Sequence, residues 1–391
     1  MSQTTIQAVE PVASPAPVQA AGPAWEKFQE LVTAAVDLFN RGSVRQAAIL
    51  LDLAETWQIE QSLDHASVDS IRDRLGHALD GERLRESADN PLDRPSLRAV
   101  LRFFSAFACG ALLDALRSEP RRERRRWLLL MLETHGAPAR AAARERLAKP
   151  FDARRGAEEW YFRRNLLHLL RRIPRSAPQD AADEVAIAVR HARLGLPSLV
   201  VKEAIGVLGQ IRDDRAENAL VRLLAEIEDM LPTRQSYAES RNLPALADRT
   251  AAALAAFPSH RAHAAVIDYA ERALLESGRP MACLAAFGGH DLSSDDAAVD
   301  RLVGLIRRGR TSSLSRRLLF QDGDEVHDEI VPAIEALAST PLPAARRALE
   351  RVARRHPEKS SGRAAARILA GRAQRVLSAP GRAAPDISAE A

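Results

Sequence analysis

Apolar residues recur along this chain at the spacing of helix faces. Phe28, Leu31, Val32, Ala35, Val36 and Phe39 fall three and four positions apart, which predicts an amphipathic helix that starts at Trp25 and stops at Asn40-Arg41-Gly42. A second helix over 44–57 is expected to fold back on it, followed by a charged amphipathic helix over 68–85. After the turn-rich stretch 89–95 comes a helix over 97–116 whose Leu101, Phe103, Phe104, Phe107, Leu112 and Leu113 read as core. From Pro120 onward the helices come in pairs: 121–134 with 138–148, 158–172 with 181–193, 198–211 with 216–230, and 244–256 with 261–275. The series continues with 299–308, 326–338, 344–355 and 362–377. Gly136, Pro174, Pro197, Pro258, Pro280, Pro341 and Pro357 all fall between helices, where a missing backbone bond costs least. No alternating pattern long enough for a strand competes, so the fold class is all-α.

The segments 162–173 and 200–211 superpose with an offset of 38 residues. Leu166 then pairs with Ala204, Leu167 with Ile205, Leu169 with Val207, Leu170 with Leu208 and Ile173 with Ile211. A period of this length marks stacked helix pairs, because one pair cannot bury its apolar face alone. Two resemblances follow from particular residues. Gly42, Val44, Ala47, Leu51 and Ala54 have the spacing of small and large residues in a tetratricopeptide helix hairpin. Val201-Lys202, Ala204, Leu208-Gly209, Ile211, Asp213-Asp214-Arg215, Ala219-Leu220 and Leu223-Leu224 resemble the HEAT-like repeats of bacterial proteins. That second resemblance extends over roughly 117–375 and weakens at 276–325, where only Leu302, Val303, Leu305 and Ile306 form a stripe. It implies an α-solenoid, a superhelix of antiparallel helix pairs whose curved face binds another macromolecule. It leaves activity open, because such arrays serve many processes.

The expected organisation is a flexible Ala/Pro leader at 1–24, a helical region with the tetratricopeptide-like hairpin at 25–116, the repeat array at 117–377 and a flexible tail at 378–391. The start of the chain lacks the charged, continuously apolar pattern of a secretory signal, and no run approaches the length of a membrane span. Cys109 and Cys283 form neither a disulfide framework nor a metal-ligand spacing, so a reducing cytoplasm is the expected location.

Charge changes the picture by being zoned. Of 56 basic residues only Lys27, Lys149, Lys202 and Lys359 are lysines. So strong a preference points to a codon bias, and it weakens any argument that a given guanidinium was selected for its fork. Residues 117–175 nonetheless carry a net charge of +10 and 346–382 of +9, separated by an acidic zone at 176–345. Within the first zone Arg121, Arg122, Arg124, Arg125 and Arg126 crowd two turns of one helix, where like charges repel unless an acidic surface lies opposite. Glu119 and Glu123 offset part of that charge, and a merely solvated face is the competing reading. Arg163, Arg164, Arg171 and Arg172 border one repeat helix, with Lys202 and Arg215 at corresponding places in the next. They form either a basic ladder or a set of inter-repeat ion pairs.

The residues expected to contact a partner are therefore Arg121, Arg125, Arg163, Arg164, Arg171, Lys202 and Arg215. The expected function is a non-enzymatic scaffold for a protein partner with an acidic surface, its oligomeric state left open. The alternative is a nucleic-acid-binding module using both basic zones. No nucleophile elbow, phosphate loop or dinucleotide fingerprint occurs, and no catalytic or cofactor-binding residue is expected. His260 and His263, one turn apart, lack a third ligand at metal-like spacing and read as surface histidines. The acidic runs 291–296 and 322–325 read as helix starts rather than calcium loops, since they lack the alternating ligands of such loops.

Overall fold

The computed structural model describes residues 22–378 except 153, 155, 177, 232–241, 278–281, 290–291 and 318–324. Residues 1–21 of the leader and 379–391 of the tail assigned from sequence, and parts of the acidic runs 291–296 and 322–325, lie outside those residues, whereas Pro23 and Ala24, assigned to the leader, belong to the first helix. All regular structure among the described residues is helical, and the chain divides into two compact units, 1–145 and 146–391.

In the first unit, α1 (Pro23–Asn40) and α2 (Val44–Glu60) form an antiparallel hairpin. Every residue of the predicted α1 stripe is buried, and Ala47 and Ala54 of α2 are wholly buried, which lets the two backbones approach. Gly42, at φ 87°, makes the reversal in a conformation that costs a residue with a Cβ more than it costs glycine. Trp57 closes the hairpin by donating its indole N–H to the Ala24 carbonyl at 2.9 Å.

The helix expected over 68–85 is two helices, α3 (His65–Gly76) and α4 (Gly81–Asp89). The Asp80 carboxylate accepts from the backbone of Glu82 and Arg83 and so starts α4, an N-cap that propensity alone does not reveal. Asn40 fixes the turn from the outside, donating to the Ala78 carbonyl and accepting from the Asp80 N–H. The helix expected over 97–116 is likewise broken, into α5 (Arg94–Phe103), a 3₁₀ turn (Ser105–Phe107) and α6 (Cys109–Ser118). Phe104 takes an extended conformation at the break and packs its ring on Gly76. Then α7 (Arg122–His135) packs on α4, α5 and α6, and α8 (Ala137–Ala148) follows. Arg98 of α5 donates to the Thr134 carbonyl, and His135 bonds the Phe107 carbonyl. The unit therefore ends at residue 145 instead of 116: burial of Leu128, Met131 and Leu132 and these two bonds tie the arginine-rich helix α7 to the N-terminal helices.

The second unit is built as two layers. Its first layer runs α9 (Ala157–Arg172), α11 (Ser198–Leu208), α13 (Leu243–Leu254), a 3₁₀ segment (Ala282–Gly289), α16 (Glu325–Ala336) and α18 (Ser360–Ser378), each packing on the next. The second layer runs α10 (Asp180–His191), α12 (Asp214–Met230), α14 (His260–Ser277), α15 (Asp296–Arg317) and α17 (Pro343–Arg355), also neighbour to neighbour. Within the irregular stretch 276–325 the 3₁₀ segment takes the place in the first layer between α13 and α16, with Leu284 and Phe287 buried. The residues paired by the 38-residue offset, Leu166 to Ile173 and Ala204 to Ile211, are all buried.

Much of the arginine content joins adjacent helices. Arg171 of α9 reaches Glu203 of α11, Arg249 of α13 reaches the Lys202 carbonyl, Arg272 of α14 reaches Glu228 of α12, and Arg301 of α15 reaches Asp268 and Glu271 of α14. In the basic zone 346–382, Arg367 pairs with Glu335 and Arg372 caps the carbonyls of Leu337 and Ala338.

Two buried histidines give the fold a pH dependence. Burial pushes His135 and His191 below the usual histidine value of 6.5, aided by the positive charges of Arg98 and Arg163 respectively, although each also donates to a backbone carbonyl that favours the charged form. Above pH 6.5 both are neutral whether folded or not. Below it the unfolded chain takes up protons that the folded chain refuses, so stability falls as pH drops. Urea midpoints are therefore expected to decline between pH 7 and pH 5, and a flat profile across that interval would contradict the assignment.

Candidate functional site

The seven sequence-predicted contact residues separate on inspection. Arg121 and Arg125 lie in the first unit, at the start of α7. Arg121 bonds the Glu119 carboxylate at 3.2 Å, and Arg125 donates to the carbonyls of Glu119 and Pro120. Arg126 pairs with Glu123, and Arg124 lies over the ring of Trp127 at 4.5 Å. Glu119 and Glu123 offset part of the cluster's charge, and the turn before the helix holds Arg125, which weakens the case for an external acidic surface.

Arg163 is not a surface contact. Its side chain is 6% exposed and its partner Glu159 is 2% exposed, the two bonded at 2.9 Å. The guanidinium also donates to His191 of α10 and to the Lys149 carbonyl, and it lies over the ring of Phe151. His191 in turn donates from Nδ1 to the Ile187 carbonyl, leaving Nε2 to accept from Arg163. The signal was in the sequence: position 163 precedes Leu166, Leu167 and Leu170 by three, four and seven residues and so belongs to the apolar stripe. Arg215 is exposed, and both its Nε and Nη2 bond the Asp213 carboxylate that caps α12, so it completes a helix start.

Arg164, Arg171 and Lys202 do come together, on the outer face of α9 and α11. The 38-residue offset places Tyr161 and Leu199 at matching positions on these neighbouring helices, then Arg164 and Lys202 one turn on, then His168 and Gly206. At the centre is Glu203, with Arg171 Nε at 2.9 Å, Arg164 Nη2 at 3.8 Å and His168 Nδ1 at 3.9 Å. Burial works to raise its pKa, but the surrounding His168, Arg171 and Arg164 outweigh that and hold the carboxyl down at about 2. Glu203 is therefore ionised at neutral pH and neutralises one of the cations around it.

Sequence reading missed Arg249. It arrives from α13, where the repeat pattern has drifted, and only the packing of α13 on α11 brings it here. Its Nε donates to the Lys202 carbonyl at 2.9 Å. Gly206 makes room for the meeting: a Cβ there would sit 2.7 Å from Arg171 Cδ and 3.3 Å from Arg249 Nη2. Neither Lys202 nor Arg249 has a carboxylate partner among the described residues. Two permanent cations, Arg164 and Arg171, thus share one carboxylate, with Lys202 and Arg249 on the helices beside them, and Tyr161 is 56% and Leu199 47% exposed.

Elsewhere the chemistry is structural. Asp295 bonds both His260 and His263 through Oδ2 at 2.9 Å and caps α15 at the Ala298 N–H, so His263 is a buried partner of that cap rather than a surface histidine. The Cys283 thiol is pushed by burial up to about 12, which leaves it protonated and unreactive as a nucleophile. A cleft of about 160 Å³ between α10 and α12 has Val189, Ala219 and Leu223 in its lining, with Arg193, Arg222 and Glu226 alongside. No helix among the described residues is long and apolar enough to cross a membrane.

No protein family matches the sequence, and no curated protein matches it either. Among solved structures the chain is similar to the crystal structure of an engineered protein from the Northeast Structural Genomics Consortium, at 18% identity. That match covers 90% of this chain and 96% of the other with a TM-score of 0.38, a level from which neither fold nor function follows.

Proposed function

We propose that the second unit is a HEAT-like array and that the chain is a non-enzymatic scaffold. It binds another protein through the outer face of its first helical layer, at α9, α11 and α13. One observation carries this reading: Arg164 and Arg171 share the single carboxylate of Glu203, and Arg249 bonds the Lys202 carbonyl on the same helix while neither it nor Lys202 has a carboxylate partner among the described residues, so α9, α11 and α13 carry more cations here than carboxylates to pair them. Several other arginines of the unit, Arg272, Arg301 and Arg367 among them, are paired with carboxylates of neighbouring helices, which Lys202 and Arg249 are not. Unpaired surface charge steers and orients a partner more than it adds affinity. The two-layer packing supplies the rigid platform, and the hairpin of α1 and α2 in the first unit fits a tetratricopeptide-like element.

The test is an affinity capture from cell lysate with three baits: the native chain, Lys202→Glu/Arg249→Glu, and a variant with Arg121, Arg122, Arg124, Arg125 and Arg126 changed to Ser. The expected result is a nuclease-resistant partner retained by the first and third baits and lost by the second. Identical recoveries from the first two baits would remove the reading. Capture that disappears with nuclease would favour the nucleic-acid alternative.

A further inference from the structure

The face described above has a shape and a chemistry that define what can lie on it. We infer that it receives an extended acidic segment of a partner protein carrying one large apolar side chain, an inference that rests on the protein-binding reading. The cations provide the first half of the argument. Arg171 and Arg249 approach from opposite sides over Gly206, and Lys202 stands on the same helix one turn earlier, so three positive groups from three helices crowd one spot. Glu203 balances one of them. Carboxylates of a partner would complete the pairing without displacing any existing bond, because Arg249 uses only its Nε internally and the Lys202 side chain has no partner among the described residues.

The second half is apolar. Tyr161 and Leu199 are exposed, occupy matching positions on adjacent helices, and lie one turn before Arg164 and Lys202 on the same outer face. Scattered exposed apolar residues are ordinary, but a tyrosine and a leucine side by side at the edge of a basic cluster form an anchor position. Packed helices lie about 8–10 Å apart, so α9 to α13 spans roughly 16–20 Å, which about five or six extended residues cross. The segment places its apolar side chain over Tyr161 and Leu199 and its carboxylates over Lys202, Arg171 and Arg249. A nucleic-acid strand fits less well. The cations available, Arg164, Arg171, Lys202 and Arg249, fall short of the roughly 6–10 phosphate contacts that typify strongly salt-dependent nucleic-acid binding.

The experiment uses the full chain and a fluorescein-labelled synthetic peptide of twelve residues, Glu and Asp with one central Leu, read by anisotropy. Its controls are the same peptide with Gly for Leu and a twelve-nucleotide oligothymidylate. Binding of the acidic peptide is expected to weaken at least tenfold in Lys202→Glu, whose half-buried side chain has no bonded partner among the described residues, and about fivefold in Tyr161→Ser/Leu199→Ser. Loss of the central Leu should weaken it by a similar factor. Circular dichroism melts of each variant establish that it is folded. Absence of peptide binding, equal binding by the native chain and Lys202→Glu, or tighter binding of the oligothymidylate would each overturn the inference. If the peptide fails while the lysate capture still depends on Lys202 and Arg249, the scaffold reading stands and only the nature of the segment is wrong.

Discussion

Replacing Arg163 with alanine is expected to destabilise the second unit by about 3–5 kcal/mol, the cost of removing one partner of a buried ion pair. Glu159 is 2% exposed and would lose the guanidinium bonded to it at 2.9 Å, while Nε2 of His191 and the Lys149 carbonyl would lose the bonds that Arg163 donates. The same cut frees the Phe151 ring, which stacks on Trp160 at 4.1 Å and carries the guanidinium on its other contacts. The measurement is a guanidinium denaturation followed by circular dichroism, with Arg215→Ala as comparison. Arg215 is exposed and bonded within its own helix cap, so its loss should leave the midpoint nearly unmoved. Matching midpoints for Arg163→Ala and the native chain would show that Arg163 is not the internal brace described above.

Gly362→Ala is the second change with a large expected effect. Gly362 is buried in the first turns of α18, and an added methyl would overlap the carbonyl oxygen of His356 in the corner that joins α17 to α18. That neighbour is backbone, which cannot swing aside as a side-chain end could, so the corner itself must move, at a cost of about 1–3 kcal/mol or more. Gly371 on the same helix has nothing near its missing Cβ. Alanine there should stabilise the helix by roughly 0.5–1 kcal/mol through the unfolded chain's lost freedom. Thermal melts of the two variants should therefore move in opposite directions. A Gly362→Ala melt at or above that of the native chain would mean that the corner is looser than described.

Helix positions from α7 to α18 were readable from the spacing of apolar residues to within a few positions, because each such helix buries one stripe and the stripe has the helical period. The exception is α15, expected over 299–308, which continues to Arg317. The reading failed where one helix was expected and two are present. At 68–85 the interruption is imposed by Asn40, a residue about 40 positions away that grips the turn from both sides. At 97–116 it comes with the extended backbone of Phe104 and the seating of its ring on Gly76. Local periodicity carries no trace of a distant hydrogen bond. The unit boundary moved for the same reason: the charge step at 117 is visible in the sequence, whereas the burial of α7 against α4, α5 and α6 is a matter of packing.

The arginines divide along the same line. That positive charge concentrates in 117–175 is a property of the sequence, and so is the repeat that lines up Arg164 with Lys202 and Tyr161 with Leu199. Which guanidiniums point into the protein, which join neighbouring helices and which are left over was decided only by tertiary structure. An arginine is long enough to reach carbonyls and carboxylates on two or three helices, and its energy depends on which of them the packing brings within about 3 Å. Arg163 ended inside, where its place in the apolar stripe of α9 puts it, whereas only the packing of α13 on α11 set Arg249 beside Lys202.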